Sequence, residues 1–369
     1  MTLKKLAKKI TAAIAAGTFG LTITFSALPA PNVSAFGLGE AIGVGAAVLS
    51  GTAQMNQAKK EIDYLNNTEE GRQELYQYYR ENQGVNDDPT LNARLDTIMR
   101  NLSNAVAQVD SSINDKPYLY FIAADENLNA ACAMGHVMMV NTGAFTHLAS
   151  DDEIAAIVGH EMGHGQKDHA AKGIKKQINK TMLAQIGASA AGGGTLVNVV
   201  ASLALKNSVA HGDRKLETEA DNLAWEYILH TNYNPGACAA VMQRLAELYG
   251  ESYNATFLNP ADHPDTAKRR DNYATKLYEY SGKHASANNG VVTVNGKTFM
   301  TVAETSSMSS PERAFFVLGN IAAAYHNKHN SAEAYVQNGT VMLGAQPIVT
   351  PASGDEDAYT LAERLNAIK

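Results

Sequence analysis

The 369-residue chain is predicted to be of the α+β class: a mainly helical domain with a small β-sheet, followed by a small C-terminal α+β domain. Three observations predict this. Apolar residues recur at helical spacing through residues 61–115. Two short β-prone runs, 117–123 and 136–141, then precede a helix that starts near Asp151. From about Val291 the pattern changes again, to short strands around an Asn295-Gly296 turn. The chain is accordingly divided into a leader (1–35), an N-terminal helical segment (36–115), a central domain (116–284) and the C-terminal domain (285–369).

The leader carries Lys4, Lys5, Lys8 and Lys9, an uncharged apolar run from Ile10 to Leu28, and small residues at Val33-Ser34-Ala35. This is the pattern of a secretory signal peptide cut after Ala35, so an exported protein, periplasmic or extracellular in a bacterial envelope, is expected. The run is slightly long for such a leader, and an uncleaved anchor is the alternative. The formal net charge is −7 and becomes more negative once the four leader lysines are removed. That balance argues against nucleic acid as a partner. Two cysteines, Cys132 and Cys238, are too few for a disulfide scaffold; one bridge or two buried thiols both fit.

Residues 36–58 are rich in Gly and Ala and suit a helix packed on the rest of the protein or lying on a membrane surface. Tyr64, Leu65, Leu75, Tyr78 and Tyr79, then Leu91, Leu95, Ile98, Met99, Leu102 and Val106, mark two helical stretches, the second opened by Pro89. The helix from near Asp151 to His164 has Ser150 or Asp151 as its cap, and Asp152 and Glu153 at its positive end. Thr181–Leu205 is uncharged and long enough to span a bilayer. Gly187 and Gly192-Gly193-Gly194 favour two buried helices instead. The tail reads as ββαββα, with strands around Val291–Val294, Thr298–Val302, Val341 and Ile348. No long-period internal repeat is evident.

The chemistry is concentrated in His160-Glu161-Met162-Gly163-His164. Two imidazoles four residues apart share one helix face and can share a metal ion, and Glu161 follows the first ligand as a base. One class of such sites adds a histidine in an extended motif. Here Lys167 and Ala170 occupy the positions of its glycine and third histidine, and His169 is out of register. The other class takes a glutamate from a second helix. Glu217 and Asp221, four apart, fit this: Glu217 as the third ligand, Asp221 as acceptor for the free N–H of a ligand histidine. One Zn²⁺ per chain is the expected cofactor.

These residues occur in an ordered set: Asn129-Ala130, Val137–Gly143, Asp152–Gly159, the metal motif, Arg214, Glu217–Asp221, Tyr233-Asn234-Pro235, His263-Pro264 and Arg269. The set resembles the zinc metallopeptidases that include the CAAX prenyl protease, HtpX and the BepA-type periplasmic proteases. It implies a zincin-type domain of the gluzincin kind and a zinc endopeptidase. The resemblance also nominates His263 and Arg269 as donors to the oxyanion. His263 could instead cap the resting metal. It further implies that Val137, Met138, Met139, Val140 and Asn141 form a sheet edge beside the cleft, where an extended polypeptide could pair. Unfolded or misassembled envelope proteins are the expected substrates, with a peripheral membrane or envelope-assembly partner possible. A non-catalytic assembly factor or holdase is the alternative.

Overall fold

The computed structural model describes residues 51–177, 214–250 and 266–369. The leader, Thr181–Leu205 and His263 lie outside the described residues.

Three helices open the described chain: α1 (Gly51–Asn67), α2 (Glu69–Gln83) and α3 (Pro89–Val109). Asp88 caps α3 by accepting from the N–H groups of Thr90 and Leu91, and Pro89 sits in the first turn, where its missing N–H leaves no intrahelical bond unmade. Leu95, Ile98, Met99, Leu102 and Val106 then bury one face of the helix, as their spacing predicts.

The strands β1 (Leu119–Ala123), β2 (Ala130–Ala133) and β3 (Val137–Asn141) form one sheet in the order β1-β3-β2. β1 runs parallel and β2 antiparallel to β3. The extra strand, Ala130-Ala131-Cys132-Ala133, shows no polar alternation because both of its faces are buried. Its presence corrects one expectation: Val137–Asn141 is not a sheet edge. Met138 lies opposite Tyr120 on one side and Cys132 on the other, so β3 is the central strand and is paired along both sides. The edge strand beside the metal helix is β2.

Side chains alternate across this sheet with the period of two that a strand imposes. Phe121, Ala131, Val137 and Met139 pack with Ile62, Leu65, Leu75 and Tyr79 of α1 and α2. Ile122, Cys132, Met138 and Val140 face the other way, into a cluster with Leu102, Ile154 and Val158. The sheet therefore separates α1 and α2 from the metal helix.

After α4 (Thr142–His147) comes the metal helix α5 (Asp151–Gln166), followed by α6 (His169–Gln177). Ser150 and Glu153 form a reciprocal capping box at the start of α5. Three further helices follow among the described residues: α7 (Arg214–Leu229), α8 (Ala237–Tyr249) and α9 (Thr266–Tyr280). Cys132 and Cys238 are both buried free thiols. No helix among the described residues is long and apolar enough to cross a membrane.

The C-terminal part holds two antiparallel three-stranded meanders, each followed by a helix. The first is β4 (Ala285–Asn288), β5 (Val291–Val294), β6 (Lys297–Thr301) and α10 (Ser310–His326). The second is β7 (Ala334–Gln337), β8 (Thr340–Leu343), β9 (Gln346–Val349) and α11 (Ala358–Ile368). The order βββαβββα replaces the ββαββα expected, and it is an internal repeat. Strand positions correspond at a constant offset of 49, from Ala285 to Ala334, Asn289 to Asn338 and Gly290 to Gly339. Both Asn-Gly pairs have positive φ, and both meanders carry an irregularity at the matching place, after Val292 and after Val341. Few residues are identical between the copies; the turn residues and burial pattern carry the likeness. The two units share their buried cluster with α8 and the metal helix.

Candidate metal centre

The centre is built where α5 crosses α7. Gly159 and Gly163 face that crossing. A Cβ on Gly163 would come within 3.0 Å of the Ala220 Cα, and one on Gly159 within 3.8 Å of the Ala224 Cα. Small residues on both helices therefore let the backbones approach, which brings Glu217 within reach of the two histidines.

His160, His164 and Glu217 each present one donor atom, all within 4.8 Å of one another. Nε2 of His164 lies 3.1 Å from Nε2 of His160. Glu217 stands 3.4 Å from His160 Nε2 through Oε2 and 3.3 Å from His164 Nε2 through Oε1. Zinc bonds of about 2.0–2.1 Å in a tetrahedron put neighbouring ligands roughly 3.3–3.4 Å apart. The 3.1 Å between the two Nε2 atoms is close to that separation, and each Nε2 stands at about that distance from a different oxygen of the Glu217 carboxylate. The donor set is the His₂Glu set of catalytic zinc sites, which keep a fourth position for water or substrate. The residues fit the metal.

His160 Nδ1 lies 2.9 Å from Asp221 Oδ1, the contact expected of an outer carboxylate that fixes a ligand tautomer. Asp221 in turn accepts from Arg269 Nε (2.9 Å) and Nη2 (2.6 Å), and from the Tyr273 hydroxyl (2.9 Å). Burial pushes the Asp221 carboxyl up, but the Arg269 charge and the His160 hydrogen bond outweigh it and hold the group well below the usual carboxylate range. Arg269 is raised against the cost of its burial, chiefly by Asp221. Burial and Arg269 depress His160, while its bonds with Asp221 and Glu217 prevail and raise it to about 9. Burial takes His164 down to about 4, which favours the neutral imidazole a metal needs.

Glu161 points to the sheet side of the helix, where its Oε2 accepts the backbone N–H of Cys132 at 3.0 Å. Burial lifts this carboxyl to about 7; His160 and the Cys132 N–H pull the other way. A base near neutrality suits proton transfer at physiological pH.

Among the described residues, the sequence-predicted site residues are therefore brought together with two qualifications. Arg269 has its Nε and Nη2 on Asp221, on the Nδ1 side of His160, so it forms a buried ion pair rather than standing in the open cleft as an oxyanion donor. The strand beside the base is β2, not Val137–Asn141. Sequence reasoning also passed over three features. Asn129, just before β2, has a buried Oδ1 with no hydrogen-bond partner among the described residues. Gly159 and Gly163 set the helix crossing, a role legible only with the partner alanines in view. His169, dismissed as a ligand, lies against His164.

The profile of peptidase family M48 matches residues 89–277, just over half of the chain. A putative beta-barrel assembly-enhancing protease of Vibrio cholerae is 28% identical over 182 residues, covering 46% of this chain and 36% of that protein. The mitochondrial metalloendopeptidase OMA1 of Arabidopsis thaliana is 31% identical over 142 residues, covering 38% of this chain and 28% of its own length. Metalloprotease LoiP of Escherichia coli is 26% identical over 186 residues, 50% of this chain and 69% of that protein. The chain thus spans about a third of the length of the first two relatives. The family match begins with α3, which packs directly on the metal helix, and it encloses the histidine motif, Glu217, Asp221 and Arg269. With the ligand set, its supporting carboxylate and the surrounding helices all inside the matched stretch, the chain belongs to peptidase family M48.

Proposed function

We propose that this chain is an exported zinc-dependent endopeptidase that hydrolyses peptide bonds in unfolded or misassembled envelope polypeptides. The observation that carries the reading is the His160–His164–Glu217 triad, whose donor atoms lie within 4.8 Å of one another with both imidazole Nε2 atoms against the Glu217 carboxylate. Family membership and relatives named as metalloproteases support the same chemistry. The leader-like N-terminus supports export, and the beta-barrel assembly-enhancing protease among the relatives supports an envelope setting.

Zn²⁺ held by the three ligands supplies Lewis acidity, polarising a peptide carbonyl and making water more acidic. The residues of the chain do the rest. Glu161 takes the proton of the attacking water on its carboxylate and passes it to the leaving amine. Asp221, compensated by Arg269, holds the His160 ring so that Nε2 faces the metal. The outer edge of β2 offers backbone groups to an extended substrate. His263 is assigned from the sequence alone, as an oxyanion donor or as a cap on the resting metal. Backbone pairing explains a preference for unfolded chains with loose side-chain requirements.

Degradation of an unfolded protein such as casein, with and without a chelator, tests the reading. Cleavage that the chelator abolishes and added zinc restores is expected. A pure, zinc-loaded protein that binds unfolded chains without cutting them would instead identify a holdase.

A further inference from the structure

Resting on the reading of the triad as a metal centre, we propose that His169 and Glu219 are positioning residues for the ligand His164. The chain leaves the metal helix through Asp168, whose φ of 51° is left-handed, and immediately re-enters a helix at His169. That reversal folds the His169 ring, 3% exposed, back against His164. Nδ1 of His169 lies 2.8 Å from Nδ1 of His164, and its Nε2 lies 3.2 Å from Oε2 of Glu219.

Two ring nitrogens at that distance need one hydrogen between them, and only one arrangement serves a metal. A metal on Nε2 of His164 leaves the hydrogen on Nδ1. His169 must then accept through Nδ1 and carry its own hydrogen on Nε2. A carboxylate can only accept, so Glu219 selects that tautomer of His169. The proton positions are thereby fixed in sequence, from Glu219 through His169 to His164. The two ligand imidazoles have different supports. His160 donates straight to a carboxylate that Arg269 compensates. His164 donates to a neutral ring, and the carboxylate is one residue further out, with its side chain 47% exposed. Both carboxylates come from α7, the helix that also supplies Glu217.

The test uses the full-length protein and zinc, with affinity measured by chelator competition and the site's geometry by the absorption spectrum of its Co²⁺ form. His169→Phe keeps a ring but removes the acceptor, leaving the His164 Nδ1–H buried without its partner. Zinc affinity should fall about 10- to 100-fold. His169→Gln restores an acceptor and should recover a large part of that loss. Glu219→Lys offers His169 a donor in place of an acceptor, favours the opposing tautomer, and should weaken zinc binding while altering the Co²⁺ spectrum. In the His169→Phe background the same lysine should do little, which separates tautomer selection from a general charge effect. If His169→Phe does not fold, Glu219→Lys, at an exposed position, decides alone. Parental zinc affinity in Glu219→Lys, or in a folded His169→Phe, would overturn the proposal. A parent that fails to bind one zinc per chain would overturn the metal-centre reading instead.

Discussion

The backbone N–H of Cys132 donates to Glu161 Oε2 across 3.0 Å, so the edge strand and the proposed base are tied directly together. Cys132 is opposite Met138 in the ladder, yet its N–H points away from β3 toward the metal helix. Residues two apart on a strand share a direction, so Ala130 presents its backbone to the same side.

Substrate pairing should therefore depend on β2. Proline at Ala130 removes an outward N–H without taking a hydrogen bond from the β2–β3 ladder. Ala130→Pro is expected to reduce cleavage of unfolded substrates several-fold while zinc content stays at the parental level. Proline at Met138 or Val140, in the doubly paired β3, should instead damage folding. Parental turnover by a folded, zinc-loaded Ala130→Pro protein would remove β2 from substrate binding.

The ligand assignment is tested by metal analysis. His164→Ala and Glu217→Ala each remove one of three protein donors and should bring bound zinc well below one per chain after dialysis. Full zinc in either variant would mean that the metal is held elsewhere.

Much of this centre was legible in the sequence, because its chemistry is local. The i, i+4 spacings of His160 with His164 and of Glu217 with Asp221 fix shared helix faces, and Ser150 with Glu153 marks the start of the metal helix. What depends on tertiary contact was not legible. Ala130–Ala133 has neither the alternation nor the β-branched residues of a typical strand, because it is small, short and buried on both faces. Missing it made the central strand look like an edge. The repeat in the tail was hidden for a related reason: Ser286 and Tyr335, or Thr293 and Met342, differ in chemistry while occupying equivalent places in their meanders. His169 was excluded by ligand spacing, which carries no information about a hydrogen-bond partner behind the ligand.

Arg269 distinguishes a buried ion pair from an oxyanion donor. Arg269→Ala leaves the Asp221 carboxylate buried without its cation, and such a loss typically costs about 3–5 kcal/mol. Urea unfolding should show a drop of that order, with weakened zinc binding through His160. A variant with parental stability and zinc affinity but a much lower kcat would restore the oxyanion role.

Glu312 makes stability sensitive to alkaline pH. It caps α10 through Ser309, and Arg244 Nε bonds its Oε1 at 3.2 Å. Burial and the neighbouring Glu153 nonetheless raise its carboxyl from 4.5 to about 9. The folded protein holds this proton more tightly than the unfolded chain does. The resulting stabilisation is complete below about 4.5 and is lost as pH rises toward about 9. Glu312→Gln keeps an acceptor for the capping box and has no proton to lose, so its stability should decline less across that window. Equal pH slopes for the two proteins would count against the raised carboxyl.

The central claim is that His160, His164 and Glu217 hold a zinc ion and that Glu161 takes the proton of the attacking water, and a single variant tests it most directly. Glu161→Gln removes the base, keeps a side chain that can accept the Cys132 N–H, and leaves all three ligands in place. Zinc content and peptide turnover measured on the same preparation should show about one zinc per chain and a rate reduced by at least about 10²-fold. A zinc-loaded Glu161→Gln protein that cleaves as fast as the parent would contradict the account.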